Sequence, residues 1–474
     1  MVTIMQTTTR QPTFIDKFDA GLIHIGNFIK RHQRLIFWIQ MAIVLLYATL
    51  IIVPIFVPLP GNSDHILTHI TVFAQFVFWG IWWPFVLLSM VLFGRIWCGV
   101  LCPEGALSEW ASHYSLKKAT PRWLRWGGWP TVAFAGTTIY GQMVSVYQYP
   151  LAVLLVLGGS TAAAIVVGFL FARKKRIWCR YLCPVNGVFQ LLSKLAPIHY
   201  KVDQQAWEEG KRLHPEKNIA FNCAPLVHVR NMQGNTHCHM CSRCSDYRGA
   251  VELTRRPITE EVVQVDKENS TGWQSFLLIF GLLGLAIGAF HWTVSPYMIQ
   301  LKIACANFLI DHNIMWPLAT NTPWFIFTNY PEQNDVFSWL DGFLVVFYIV
   351  ATGIIMASII SALLAISCLA IKQNRKRFFI HFSQSLIPIA GVGVFLGLSA
   401  TTVNILRYDG FHLYWINNAR LALLVVATLF SFYLAAKITA FWQLSKKQTA
   451  FTLFMFALVL AVIDCAWGFM FWWW

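Results

Sequence analysis

The sequence predicts an all-α polytopic membrane protein of about nine transmembrane helices, interrupted by one polar insert. Three observations predict it. Hydrophobic residues make up 57% of the 474 and charged residues only 12%, where ordinary soluble domains carry about 25% charged. Runs of roughly 20 mainly apolar residues recur along the chain, the length that crosses about 30 Å of hydrocarbon. The 22 Trp and 37 Phe suit helices that face lipid and end in aromatic residues.

In chain order the expected spans are about 35–58, 69–93, 129–147, 150–172, 273–292, 339–370, 379–402, 419–441 and 449–471. The run 296–316 reads as re-entrant or interfacial, because Pro296, Lys302 and Asp311 argue against a full span. The first 30 residues are mixed and polar, without the apolar core or cleavage site of a signal peptide. Four regions follow: a cytoplasmic N-terminal segment 1–34, a four-span core 35–197, a polar cysteine-rich insert 198–272 and a C-terminal membrane domain 273–474 of about five spans. Trp472, Trp473 and Trp474 read as an interfacial anchor.

The net charge of +15 does not signal nucleic acid, because the basic residues sit in short loops between spans. Arg31 and Arg34, then Arg95, Lys117, Lys118, Arg122 and Arg125, then Arg173 to Arg176, Lys372 to Arg377, and Lys446 with Lys447 fall in alternate loops. Loops 59–68, 147–150 and 293–338 are nearly free of Lys and Arg. The positive-inside rule then places the N-terminus inside and the C-terminus outside. Every cysteine group falls on the cytoplasmic side, where structural disulfides are disfavoured.

Eight of the eleven cysteines are grouped. Cys98 and Cys102 lie in RIWCGVLCP, and Cys179 and Cys183 in RIWCRYLCP. Cys238, Cys241 and Cys244 lie in CHMCSRC within the insert, with Cys223 upstream. Three thiolates on one tight loop hold three corners of a [4Fe–4S] cubane, but the fourth ferredoxin cysteine is replaced by Arg248, followed by Gly249. Cys223 is the available fourth ligand. Zinc competes, since four thiolates also make a closed tetrahedral site. His228, His237 and His239 are further candidates, with His228 and His239 read as surface residues.

The two RIWC-x3-CP runs form an internal repeat of span, cysteine pair and surface helix (104–116 and 185–196). Each Pro suits the first turn of the following helix. Each pair then sits at a helix N-terminus, where thiolate is favoured, with Arg95 or Arg176 adding positive charge. Brought together, Cys98, Cys102, Cys179 and Cys183 supply four sulfurs, enough for a second [4Fe–4S] cluster. Redox-active dithiols, a copper site or unliganded structural pairs are the alternatives.

Cys305, Cys368 and Cys465 are isolated and read as packing residues. His291, His381 and His412 offer no pair of facing haem ligands at equal depth. His65 and His69 read as a metal or quinone pair, or as solvated loop residues. Asp341 and Asp464 read as proton carriers, or as residues that cap a helix or meet a polar neighbour. No G-x-G-x-x-G with its acidic partner, Walker loop or C-x-x-C-H run occurs, so nucleotide binding and covalent haem are not supported.

The paired W-C-x3-C-P runs after membrane spans, with a cysteine-rich insert downstream, resemble the polyferredoxin-type membrane iron–sulfur proteins (the NapH, NosR membrane-domain and CcoG group) over about residues 35–250. The resemblance implies electron transfer in a bacterial inner membrane, between a quinol or cytoplasmic donor and a membrane or periplasmic acceptor. It implies one or two [4Fe–4S] clusters, with quinone as a further cofactor and copper, zinc and haem as weaker alternatives. It makes lipids, and a redox protein or the quinone pool, the partners, and leaves a quinone-linked oxidoreductase component as the enzymatic reading. Copper handling for assembly of a partner enzyme, and a zinc-stabilised scaffold, are the competing functions.

Overall fold

The computed structural model describes residues 14–61, 63–171, 173–213 and 221–474. Residues 1–13 of the expected N-terminal segment, 214–220 of the insert and the end of the expected span 150–172 lie outside the described residues.

The chain is a helical membrane protein. Among the described residues, eight helices are long and apolar enough to cross a bilayer: Gln33–Phe56, Ile70–Phe93, Pro150–Leu170, Gly272–His291, Trp339–Ala370, Arg375–Tyr408, Ile416–Phe441 and Lys446–Trp473. The ninth expected span is shorter. Trp129–Met143 has 15 residues, about 22 Å of helix. It nevertheless joins the two ends of the bundle. Its start lies beside Gly187 through Pro130, and near its end Gln142 accepts a hydrogen bond from Trp292 at 2.8 Å, just past the far end of Gly272–His291.

Local chemistry sets the boundaries. Ser338 with Asp341, Ser445 with Gln448 and Thr271 with Gln274 form reciprocal capping boxes at span starts. Gly94, at φ 65°, ends Ile70–Phe93 in a conformation that favours glycine. Spans Gly272–His291 and Trp339–Ala370 cross backbone to backbone where Gly284 meets Gly353, the small-residue contact that lets membrane helices approach closely. The run 296–316 forms the helix Pro296–Asp311, buried only at Met298. Its Lys302 pairs with Asp341 at 2.5 Å.

The insert is anchored by an antiparallel pair, Ile198–Val202 with Val251–Arg255, in which Tyr200 lies opposite Leu253. Between these strands runs the cysteine loop. The N-terminal segment is not merely polar. It folds as an amphipathic helix, Phe14–Arg31, whose Gly26 sits against Tyr200 and Leu253 and whose Asn27 accepts from Ser245 Oγ at 2.8 Å.

Candidate iron–sulfur centres

Both RIWC runs follow spans that end at the same face of the bundle. Cys102 is the N-cap of helix Pro103–Ser112, and its Sγ accepts the Gly105 N–H at 3.4 Å. Pro103 occupies the first turn as expected. Pro184 does not: it lies in a turn before helix Asn186–Leu192, whose N-cap is Val185. Neither following helix is a surface helix. Pro103–Ser112 buries seven residues and Asn186–Leu192 buries all of its own. Small residues let the first pack tightly on the next span, where Gly168 meets the Ser108 main chain. The second is enclosed by spans: Gly187 lies against Leu277 and Leu192 against Gly391.

Cys98, Cys102, Cys179 and Cys183 line a single cavity of about 840 Å³, with Trp97 and Glu104. The two repeats are tied together around it. Glu104, next to the first pair, accepts from Ser160 Oγ at 2.7 Å and from Trp178 Nε1 at 3.1 Å. Arg176, fully buried, donates to the Cys98 carbonyl and pairs with Glu109 at 2.7 Å. Arg95, also buried, donates to Asn186 Oδ1 at 2.7 Å, to the Thr236 carbonyl at 2.9 Å and to Cys98 Sγ at 3.8 Å. Burial pushes the thiols of Cys102 and Cys183 well up and that of Cys179 to about 12, with Arg176 pulling Cys179 the other way. Such thiols ionise only against a compensating cation, which is the position of a metal-ligating cysteine.

The second group forms beside the first. Cys223, Cys238, Cys241 and Cys244 are mutual electrostatic neighbours. Cys223 is strapped in place and does not depend on a loose loop. Arg176 N–H donates to the Ala224 carbonyl at 2.9 Å, and Lys175 Nζ reaches Asn222 Oδ1 at 2.8 Å and the Cys223 carbonyl at 3.1 Å. Met240 and Ser242 have φ of 53° and 61°, alternating with the cysteines. That winding turns successive backbone N–H groups into a concavity suited to an anionic cluster. Met240 N–H donates to Cys238 Sγ at 3.4 Å, and Val227 N–H to Cys223 Sγ at 3.4 Å. Burial pushes Cys238 to about 12 and raises Cys223 and Cys244. Arg248, at the broken ferredoxin position, packs away over Trp207 at 5.0 Å and Tyr247 at 5.2 Å.

The two groups share a wall. Gly99, inside the first pair, lies directly against the main-chain carbonyl of His239, inside the insert loop. His239 is therefore not a surface residue; it is 1% exposed, and burial, with Arg95, holds its ring well below the usual imidazole range. His228 is exposed. Glu109 joins the groups from the side, accepting from Arg176 and, at 2.6 Å, from Arg243 of the cysteine loop. Composition and spacing gave no sign of Glu109, Glu104 or Gly99. A carboxylate on a small-residue helix was the only available hint.

Other sequence candidates have structural roles. His381 donates from Nε2 to the Val262 carbonyl at 2.8 Å and accepts Trp442 Nε1–H at Nδ1 at 2.9 Å, so neither ring nitrogen is open to a haem. His65 bonds Asp409 at 3.1 Å, and His69 caps the helix that follows it. Asp341 caps its helix, and Asp464 accepts from Thr428 at 2.9 Å. His291 is buried against Trp474; His412 stacks on Tyr414. Cys368 is buried, Cys305 half-buried and Cys465 exposed. Among the described residues, no three His, Cys, Asp or Glu side chains close on one point as ligands of a single ion.

An apolar chamber of about 900 Å³ adjoins the four-cysteine cavity. The two share walls at Trp83, Thr137, Leu157, Pro184 and Phe189. The chamber reaches Tyr147 and Phe290, toward the far end of the bundle. Wide π turns at Phe76–Trp82 and Leu154–Gly158 shape both walls, and such turns often mark functional sites.

Residues 75–122 and 154–202 match the family described as 4Fe-4S binding domain. Each stretch carries one C-x3-C-P pair, and the insert cysteines fall outside both. The chain is similar to the putative electron transport protein YccM of Escherichia coli (strain K12), 23% identical over 229 residues, 43% of this chain and 62% of that protein. It is also similar to the regulatory protein NosR of Pseudomonas aeruginosa, 28% identical over 193 residues, 34% of this chain and 25% of that protein. The match thus spans less than two thirds of either relative. No solved structure matches. The resemblance to membrane iron–sulfur proteins of the polyferredoxin type holds, and [4Fe–4S] is the cofactor class that goes with it.

Proposed function

We propose, from this resemblance to membrane iron–sulfur proteins, that the chain is an electron conduit with two [4Fe–4S] centres at one face of the bilayer. Cys98, Cys102, Cys179 and Cys183 would hold one; Cys223, Cys238, Cys241 and Cys244 the other. The observation that carries this reading is the convergence of both repeats on one cavity, across a single glycine from the insert loop. Bound there, clusters would take up and release one electron at a time. The residues around them set the conditions. Arg95 and Arg176 offset thiolate charge, the N–H donors to sulfur raise the potential, and burial excludes water.

The charge pattern and the apolar chamber support one choice of donor and acceptor. The positive-inside pattern supports a cytoplasmic orientation of this face in a bacterial inner membrane, where the insert would meet a soluble or quinol-linked donor. The apolar chamber beside the four cysteines has the lining for a quinone ring and tail, with Thr137, Thr138 and Tyr147 as its polar groups. Zinc and single-ion copper fit less well. Their ligands would crowd one point, whereas a cubane holds its thiolates apart at the corners of an inorganic core.

Anaerobic purification with iron, sulfide, copper and zinc quantified together tests the reading. Electron paramagnetic resonance of the reduced protein should show two centres. Cys102→Ser and Cys183→Ser should remove one signal and Cys241→Ser the other. A protein prepared without oxygen that holds neither iron nor sulfide would refute it.

A further inference from the structure

We propose that a polar cavity at the cysteine-bearing end binds a phosphate-bearing anion, supplied by the headgroup of an acidic phospholipid. The cavity, about 770 Å³, opens between the start of helix Trp129–Met143, the start of span Gly272–His291 and the segment after Cys179. Arg125 and Arg180 line it and no carboxylate does. Among the described residues neither guanidinium pairs with an acid. Arg180 Nη1 and the Nδ1 of His237, another lining residue, are buried without a hydrogen-bond partner. Two guanidinium forks that no carboxylate pairs with, in one cavity, are the donor set that phosphate oxygens accept from.

The surroundings favour lipid over soluble phosphate. Trp126 and Trp273 line the cavity with ring centroids 5.0 Å apart, and aromatic residues of this kind mark headgroup depth. From Trp273 a row continues down the span through Phe276 at 6.0 Å and Phe280 at a further 5.1 Å. Trp273 and Phe276 are 39% and 46% exposed. Acyl chains would lie along that row while the phosphate occupies the cavity. Basic pockets between spans at the cytoplasmic side bind acidic headgroups by this arrangement.

The test uses the full chain, delipidated in detergent and offered phosphatidylglycerol or phosphatidylcholine, with bound lipid counted by native mass spectrometry. The wild type should retain phosphatidylglycerol preferentially. Arg180→Gln should weaken retention about tenfold, as expected for one charge-assisted hydrogen bond, and Arg180→Lys should restore part of it. Arg125 is exposed, so Arg125→Gln repeats the test without disturbing the cysteine motif, and Arg122→Gln should change nothing. Displacement of the lipid by millimolar inorganic phosphate would support the anion site and assign it to a soluble source. Equal retention of both lipids, or undiminished retention in Arg125→Gln and Arg180→Gln alike, would overturn the proposal.

Discussion

Gly99 lies flat against the main-chain carbonyl of His239, and that contact joins the first RIWC motif to the insert loop. A methyl group at position 99 would occupy the space of that oxygen. Gly99→Ala should force the loop away, with an overpacking cost of about 1–3 kcal/mol. Thermal unfolding would read the cost. Magnetic coupling between the two proposed centres should weaken while both signals remain. Unchanged coupling and stability would show that the wall is not where the groups meet.

Glu109 makes the junction pH-sensitive. Burial opposes its ionisation, but Arg176 and Arg243 hold it at about 2, below the ordinary 4.5. A lowered carboxyl contributes stability that is full above its unfolded value and lost as pH falls through the folded one. Wild type should therefore lose about 3 kcal/mol relative to Glu109→Gln as pH drops from 4.5 toward 2. At neutral pH the variant should be the less stable, because it leaves Arg176 buried without its counter-charge. Parallel acid-unfolding curves for the two proteins would contradict this.

Cys223→Ser should remove the insert signal and about half the iron, leaving the other centre intact. Adding Arg248→Cys should not rescue it, because position 248 packs over Trp207 and Tyr247. Recovery of the signal in the double variant would move the fourth ligand to the ferredoxin position.

Thr138→Phe places a ring in the apolar chamber, away from the cysteine-lined cavity. Reoxidation of the reduced protein by a short-chain quinone should slow about tenfold with iron content unchanged, the scale on which an apolar pocket discriminates against a poorly fitting occupant. Equal rates in both proteins would place the quinone elsewhere.

Lys194 is fully buried and donates to Asp266 at 2.8 Å, Gln384 at 3.0 Å and Gln274 at 3.1 Å. It thereby ties the cysteine-bearing half to the C-terminal spans. Lys194→Met should cost about 3–5 kcal/mol by stranding Asp266. Adding Asp266→Leu should recover most of that in a thermal melt.

Much of this protein was legible in its sequence because the signals are local. Apolar runs and alternating basic loops need no tertiary information, since lipid demands about 20 apolar residues wherever a helix crosses. The repeated RIWC-x3-CP runs announced two equivalent cysteine pairs, and CHMCSRC announced a third group. Only the tertiary structure decided which thiols line one cavity. The Gly99–His239 contact, the strap that holds Cys223, and the bridge from Arg176 through Glu109 to Arg243 join residues far apart in the chain. Buried charge and close backbone approach leave no periodic trace. For the same reason the helices after the cysteine pairs looked like surface helices, although spans enclose them, and His239 looked like a surface residue, although its loop folds against Gly99.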